Sequence, residues 1–436
     1  MDTSIITNKA RRCEQRKDSP GVPFFKRQIV LRLGKVRKGL CALRRFGYDG
    51  GGMTNTSIYD VAVVGAGVFG TWTAWHLTGR GHRVLLLDAY GPAHSRASSG
   101  GESRIIRMSY GTDEIYTRWS LDSLVQWKAL FARTGQSLFV PTGVLWCAGQ
   151  DQTQLRTSME VLERCTVRHE AMNYGDLVSH YPQINFANVT QGVLEPESGV
   201  LLARRAVACV VEDVVRRGAK FQIAQIVRPA TTGKLESITT SAGERISAGQ
   251  FVFACGPWLG KLFPDLLGNR IFPTRQEVFF FSTPPGDRRF SSSSLPTWFF
   301  QEDEVYGMPD IENRGLKLAR DVHGELVDPE TQSRIASCEG AEWARNYVAH
   351  RFPALKKSQI IETRVCQYEN TSNGDFLIDR HPDLQNVWLA GGGSGHGFKH
   401  GPALGDYLAK QILSEAQAEP RFSLQTKQTE QKRTVH

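Results

Sequence analysis

The sequence predicts an α/β protein, α+β overall, that combines a doubly wound domain with a second domain built on an antiparallel sheet. Three observations predict this fold class. The segment 59–88 has the pattern of strand, glycine-rich turn, helix and strand, and 206–258 forms a second composite unit of helix and buried strands. The segment 272–335 alternates β-rich runs with loops, which is typical of antiparallel strands.

The first unit contains a GxGxxG turn between its strand and its helix. Gly65 permits the tight turn, Gly67 lets a pyrophosphate approach the backbone, and Gly70 allows the helix to pack closely on the strand. The N-terminus of the helix then directs free N–H groups at the phosphates. Asp88, which ends the next apolar run, suits a ribose diol. The unit therefore predicts a Rossmann-type dinucleotide site, but it does not distinguish NAD from FAD.

The remaining elements follow from apolar, β-branched or aromatic runs bounded by turn residues, and from longer helix-forming segments. Further helices are predicted at 115–135, 157–165, 206–217 and 402–413. Further strands are predicted at 143–146, 221–227, 251–258, 277–281, 297–301 and 386–390. We expect a discontinuous nucleotide-binding domain at 58–135, 205–270 and 340–416, a substrate domain at 136–204 and 271–339, and a polar tail at 417–436.

The composition limits the classes of function. The 436 residues are 40% hydrophobic and 10% aromatic, which is enough for a large core and more than one domain. The net charge of +9 lies entirely in residues 1–52, which hold thirteen Lys/Arg against four Asp/Glu. The rest of the chain is formally neutral, so no nucleic-acid surface is predicted. No stretch approaches the roughly 20 apolar residues that a transmembrane helix needs.

The basic segment 1–52 leaves three interpretations open: a start site placed too early, upstream of Met53; an organellar transit peptide; or a disordered or functional arm. Eight cysteines without CxxC pairs favour a reducing compartment and predict no metal site. We expect an intracellular protein, cytoplasmic by default, and the mitochondrial and peroxisomal alternatives stay open.

Four further motifs carry chemistry. A polar loop that includes Ser99 runs into Arg104-Ile105-Ile106-Arg107, where a helical turn is predicted to place both arginines on one side. Tyr306 and Lys317 lie eleven residues apart in the β-rich segment. The other two motifs are the run RVCQYENT at 364–371 and the glycine-rich loop GGGSGHGFK at 391–399. Glycines at that density allow backbone amides to face an anion.

These motifs, together with the dinucleotide-binding unit at 59–88 (the cradle), resemble the group of monomeric sarcosine oxidase, pipecolate oxidase and N-methyl-amino-acid oxidase among the D-amino-acid-oxidase-type FAD-dependent oxidoreductases. The likeness runs from about residue 58 to residue 413. It implies FAD joined covalently to the sulfur of Cys366, a small amine or amino-acid substrate, dioxygen as the second substrate, and a monomer.

The resemblance also implies roles for single residues. Arg104 is expected to lie by the flavin, and Arg107 and Lys399 to hold a substrate carboxylate, since a guanidinium grips a carboxylate with two hydrogen bonds. Lys317 is expected over the flavin, where a fixed cation stabilises the anion formed when dioxygen takes an electron. Tyr306 is expected to line the substrate pocket.

Two histidines leave alternatives open. His396 could act as a catalytic base or have a structural role. Several members of the group have a histidine four residues after the lysine, where this chain has Asp321. His323 could take that place only with a local insertion, which makes sarcosine itself a doubtful substrate.

The expected catalytic residues are Lys317, Arg107, Lys399, Tyr306 and His396. The residues expected to bind the cofactor are Gly65, Gly67, Val68, Phe69, Gly70, Asp88, Ser99, Arg104, Cys366, Gly393, Gly395, Gly397, Phe398 and Lys399. The predicted function is oxidation of the C–N bond of a secondary or N-substituted amino acid, giving an imine and hydrogen peroxide. The alternatives are a pathway-specific oxidoreductase for an amine of a larger metabolite and, more distantly, a flavin-binding module without turnover.

Overall fold

The computed structural model describes residues 59–229 and 232–431, so the basic segment 1–52 lies outside the described residues. The α-helices are Val68–Gly79, Glu114–Thr134, Thr153–Arg164, Tyr174–His180, Ala203–Arg216, Leu259–Leu262, Pro264–Leu267, Cys338–Arg351 and Gly401–Ile412. Among the described residues, none of these helices has both the length and the apolar character needed to cross a bilayer.

The first sheet carries the predicted cradle. In the described part of the chain its strands, in spatial order, are Leu377–Arg380, Val387–Gly391, Arg245–Phe253, Tyr59–Val64, Val84–Asp88 and Lys220–Ile223, with Ser237–Thr239 paired to Arg245–Phe253. The central strand Tyr59–Val64 pairs in parallel with both of its neighbours. Its Ala62 and Val63 are fully buried, as expected for a strand covered on both faces. The predicted α/β, doubly wound fold is confirmed.

Helices pack closely against this sheet and against each other because they carry small residues at the points of contact. Val68–Gly79 packs between Gly401–Ile412 and Ala203–Arg216. A side chain at Gly70 would overlap the carbonyl oxygen of Gly65, so only glycine lets the first helix lie this close to its strand. The Gly405 position likewise faces the backbone of Trp72.

The second sheet is mixed, although mostly antiparallel as predicted. Its described strands, in spatial order, are Ile360–Asn370, Phe272–Phe281, Leu316–Arg320, Val305–Met308, Thr297–Phe300, Val144–Ala148, Gln191–Glu195 and Glu170–Asn173. The exception is the parallel pair of Thr297–Phe300 with Val144–Ala148. The strand Ile360–Asn370, which carries Cys366, pairs along its length with Phe272–Phe281. The expected nucleotide-domain range 340–416 therefore includes a strand of this second sheet.

A small third sheet corrects one prediction. Arg104–Ile106 is a strand, not a helical turn, and pairs antiparallel with Gly199–Leu201, which also pairs with Phe139–Val140. The β-branched side chains of Ile105 and Ile106 suit a strand, and the partner strand lies nearly a hundred residues away in the sequence. Arg104 therefore lies in this strand, and Arg107 directly follows its last residue.

The segment predicted as a polar tail folds back on the protein as far as it is described. Phe422 is fully buried and packs on Trp119 and Phe376, with ring centroids 5.0 and 5.8 Å apart. Lys427 is also buried, and its Nζ donates to the carbonyl oxygen of Arg421 at 2.7 Å. An aromatic side chain among polar neighbours anchors this segment.

Candidate active site

A long cleft lies at the carboxyl ends of the parallel strands, where open α/β sheets bind nucleotides. Its volume is about 390 Å³. The expected cofactor residues that line it are Gly65, Gly67, Val68, Phe69, Asp88, Ser99, Arg104, Cys366, Gly393, Gly395, Gly397 and Phe398. Gly70 supports the cradle from behind, and Lys399 lies in the neighbouring pocket.

Backbone donors fix the two polar side chains of the cradle. The Asp88 carboxylate accepts hydrogen bonds from the amides of Ala66, Tyr90 and Gly91 at 2.8, 2.9 and 3.0 Å. Ser99 Oγ accepts from the amide of Val68 at 3.1 Å, at the start of the first helix. The polar loop is thereby fastened to the helix N-terminus, on the side where a pyrophosphate would bind.

A second, smaller pocket of about 70 Å³ adjoins the cleft. The residues that line both hollows are Arg104, Cys366, Tyr368, Gly395 and Phe398. The sulfur of Cys366 therefore lies where the two meet, and Arg104 Nη2 donates to it at 3.1 Å. A side chain at Gly67 would meet Ser99 Oγ at 3.5 Å and nothing nearer, so this glycine leaves the cleft wall bare for a bound group. The residues present fit FAD.

Two buried cations, Arg107 and Lys399, converge on the smaller pocket. The guanidinium carbon of Arg107 lies 4.1 Å from the ring centroid of Tyr110 and 4.9 Å from that of Trp146. Lys399 Nζ donates to the Tyr110 hydroxyl at 2.6 Å and to the carbonyl oxygen of His396 at 2.8 Å. Burial, together with the neighbouring Arg107, lowers the pKa of Lys399 well below its usual value. A carboxylate bound beside Arg107 would favour the protonated form of Lys399, so this pair of side chains suits a carboxylate ligand.

Glu195, which the sequence analysis did not single out, positions the arginine side of this pocket. Its fully buried carboxylate accepts from the amides of Met108 and Ser109 at 2.7 and 3.0 Å. It also accepts from Trp146 Nε1 at 2.8 Å. Arg107 Nη1 in turn donates to the Ser109 carbonyl oxygen. The carboxylate therefore holds both the backbone after Arg107 and one of the rings on which its guanidinium rests.

His396 lines the pocket, but both of its ring nitrogens face protein groups. Nε2 lies 3.1 Å from the carbonyl oxygen of Gly374 and so carries the proton, whereas Nδ1 lies 3.3 Å from the Tyr110 hydroxyl. The ring also stacks on Phe376 at 4.8 Å. This arrangement favours the structural interpretation over a catalytic base.

Lys317 and Tyr306 lie on adjacent strands but face different hollows. Tyr306 lines the small pocket, and burial raises its pKa to about 12. Lys317 lines a third hollow of about 100 Å³. Its Nζ donates to the Ser103 hydroxyl at 3.1 Å, and burial, with Arg104 nearby, lowers its pKa to about 7.

Asp321 lines the small pocket. Among the described residues, His323 is not part of the pocket wall and contacts Gln431 instead. Asp321 directly follows the strand Leu316–Arg320. The residue four positions after Lys317 is therefore an acid that lines the pocket.

Comparisons with known proteins identify the family of this chain. The family model described as DAO, FAD dependent oxidoreductase, matches residues 60–411. Peroxisomal sarcosine oxidase of Homo sapiens is 29% identical over 359 residues, which cover 80% of this chain and 91% of that protein. N-methyl-L-tryptophan oxidase of Salmonella arizonae is 27% identical over 374 residues, or 84% of this chain and 97% of that protein.

The crystal structure of L-proline dehydrogenase from P. horikoshii superposes with a TM-score of 0.74 at 20% identity, covering 84% of this chain and 97% of that chain. At that identity the likeness shows the fold. The family match extends from the cradle to the last helix and includes Cys366 and the glycine-rich loop. As its motifs predict, the chain therefore belongs to the DAO family of FAD-dependent oxidoreductases.

Proposed function

We propose that the protein oxidises the C–N bond of a secondary or N-substituted amino acid to an imine, and that dioxygen is then reduced to hydrogen peroxide. The observation that carries this proposal is the convergence of Arg107 and Lys399 on a pocket that shares Cys366 with the cleft. Sarcosine and N-methyl-L-tryptophan, after which two relatives are named, are both N-methyl amino acids. Bound FAD supplies the two-electron acceptor.

The residues of the pocket have separate tasks in this proposal. Arg107 and Lys399 bind the substrate carboxylate and so orient the carbon that loses its hydrogen. The rings of Trp146, Phe299 and Tyr306 line the pocket and exclude water from it. Lys317, whose Nζ donates to the Ser103 hydroxyl, supplies a positive charge for the reaction with dioxygen.

Cys366 is the proposed point of covalent attachment. Its sulfur lies where the cleft and the pocket meet, and the guanidinium of Arg104 donates to it. A thiolate is the nucleophile that such an attachment requires, and a neighbouring guanidinium stabilises negative charge on sulfur.

The size of the pocket favours a small amino acid over an amine of a larger metabolite. Its volume of about 70 Å³ is well below the roughly 300–1,000 Å³ of pockets that bind drug-sized ligands. The buried cations Arg107, Lys317 and Lys399 together also argue against a flavin-binding module without turnover, because such a module requires neither a carboxylate site nor a buried lysine for oxygen chemistry.

The test is a screen for peroxide release over N-methyl, cyclic and glycated amino acids, paired with anaerobic bleaching of the flavin. We expect bleaching by secondary amino acids and little response to their methyl esters, which lack the carboxylate. Bleaching that is equal for acid and ester would refute the binding of the substrate carboxylate by Arg107 and Lys399, which we call the carboxylate clamp. Bleaching without peroxide formation would show a dehydrogenase that uses another electron acceptor.

A further inference from the structure

Asp321 is the acidic side chain among the described residues that line the substrate pocket. It follows the strand Leu316–Arg320, and its amide donates to the carbonyl oxygen of Glu304 at 2.7 Å, which fixes the backbone there. Side chains alternate along a strand, so Asp321 points to the same face as Ala319, which also lines the pocket. One Asp321 oxygen lies 3.5 Å from the Tyr368 hydroxyl.

Charges on several elements face this carboxylate. The cations are Arg107 and Lys399, the nearby acid is Glu304, and the neutral hydroxyls are those of Tyr368, Tyr306 and Tyr110. Burial raises the pKa of Asp321 to about 6, because it outweighs the opposite effect of the two cations. Asp321 is therefore mainly ionised at neutral pH, in a pocket whose cations are directed at Ser109, Tyr110 and His396.

A substrate held by its carboxylate brings a positive charge into the same pocket. At neutral pH an amino acid is a zwitterion, and its ammonium nitrogen has no free electron pair. The C–N bond can be oxidised only after that nitrogen has lost a proton, because the electron pair of the neutral amine forms the new C=N bond. A carboxylate could meet both requirements, because it can bind the ammonium group and then accept a proton from it.

We propose that Asp321 binds the ammonium group of a zwitterionic amino acid and accepts its proton before the C–N bond is oxidised. The inference rests on the proposed function. In this step an N–H bond breaks and an O–H bond forms on the Asp321 carboxylate, and no electron leaves the substrate. The proton passes to solvent when the product leaves. Neither alternative acceptor fits as well, since His396 already has partners on both ring nitrogens and Lys399 Nζ donates to the Tyr110 hydroxyl and the His396 carbonyl oxygen.

The test compares ligands of one shape with and without the amine. The pairs are L-proline with cyclopentanecarboxylate and sarcosine with butyrate, measured on flavin-loaded protein by anaerobic bleaching or by perturbation of the flavin spectrum. Asp321→Asn keeps the size of the side chain and a hydrogen-bond partner for Tyr368. The substitution should lower the affinity for the amine ligands by roughly 30-fold or more. The affinity for the amine-free acids should stay unchanged or rise, because a like charge is removed.

The wild-type protein gives an independent readout that needs no variant. Asp321 should become protonated as the pH falls through about 6. The affinity for cyclopentanecarboxylate should then rise, and the affinity for L-proline should fall. Tyr368→Phe removes the hydroxyl contact and keeps the carboxylate, so it should preserve the preference for the amine. Asp321→Glu should restore part of that preference.

The outcomes separate this inference from the function on which it rests. Equal weakening of both members of a pair by Asp321→Asn, or loss of the preference in Tyr368→Phe alone, would overturn the role of Asp321 as an ammonium and proton acceptor. An unaltered pH dependence of bleaching in Asp321→Asn would overturn it too. If neither pair binds to folded, flavin-loaded wild-type protein, the carboxylate clamp and the proposed function fail as well.

Discussion

Arg104 and Lys317 donate hydrogen bonds to the same acceptor, the carbonyl oxygen of Ser103, at 2.8 and 3.0 Å. The two cations come from different sheets, and the guanidinium also donates to the Cys366 sulfur at 3.1 Å. Burial and the guanidinium together lower the pKa of Lys317 to about 7, so the lysine is charged below that pH and neutral above it. Its charge is therefore sensitive to pH in the physiological range.

If the charge of Lys317 promotes the reaction with dioxygen, reoxidation should lose rate as the pH rises through the pKa of this lysine. The measurement is stopped-flow reoxidation of the reduced protein between pH 5.5 and 9. The anaerobic half-reaction should not show this ionisation, because Lys317 lines a hollow apart from the substrate pocket. A reoxidation rate that is flat over the whole range would count against the assignment.

Replacing Lys317 by Met removes the charge and keeps much of the length of the side chain. Reoxidation should slow by roughly 10²-fold or more, which is the scale of deleting one preorganised electrostatic group. Flavin reduction by substrate should stay comparatively fast. Lys128→Met, which removes a lysine beside Phe139 instead, is the matched control. Normal reoxidation in the Lys317 variant would transfer the oxygen role to another group.

Replacing Arg107 or Lys399 by Met should make the binding free energy of a carboxylate-bearing substrate less favourable by about 2–5 kcal/mol, because an anion would be left partly unpaired in a buried pocket. Reoxidation should barely change. The substrate dependence of anaerobic bleaching gives the affinity directly. Methyl esters provide the internal control, since their binding should respond little to either substitution. Unaltered affinity for the acid would refute the clamp.

The parts of the site that are local in sequence were predictable, and those that depend on distant partners were not. The glycines of the cradle and Asp88 lie within one strand-turn-helix-strand unit, so their spacing alone indicates their arrangement. The conformation of Arg104 depends instead on pairing with Gly199–Leu201. The link from Glu195 to Ser109 spans 86 residues, and no motif around this glutamate signals it.

Glu195→Gln tests whether that distant carboxylate positions Arg107. The amide that replaces one carboxylate oxygen cannot accept from the donors that surround it. We expect a loss of about 1–3 kcal/mol in the free energy of unfolding, which is the scale of leaving a buried polar group unsatisfied, and weaker binding of the substrate carboxylate. Glu163→Gln, on an exposed face of the helix Thr153–Arg164, is the control for thermal stability. Lower stability with unchanged affinity for the substrate would restrict Glu195 to a structural role.

Covalent attachment at Cys366 predicts that flavin stays with the protein after acid precipitation, and that the peptide containing Cys366 gains the mass of FAD. Cys366→Ala should release the colour into the supernatant. Cys255→Ala is the matched control, because this thiol lines the same cleft. Its Sγ donates to the Val64 carbonyl oxygen at 3.3 Å, and burial raises its pKa, so it is a poor nucleophile.

Arg104→Met should slow attachment during loading of the apoprotein with FAD, since it removes the donor 3.1 Å from the Cys366 sulfur. Colour that leaves with the supernatant from fully loaded wild-type protein would contradict the covalent bond, and colour that is retained in Cys366→Ala but lost in Cys255→Ala would move it to the other cysteine.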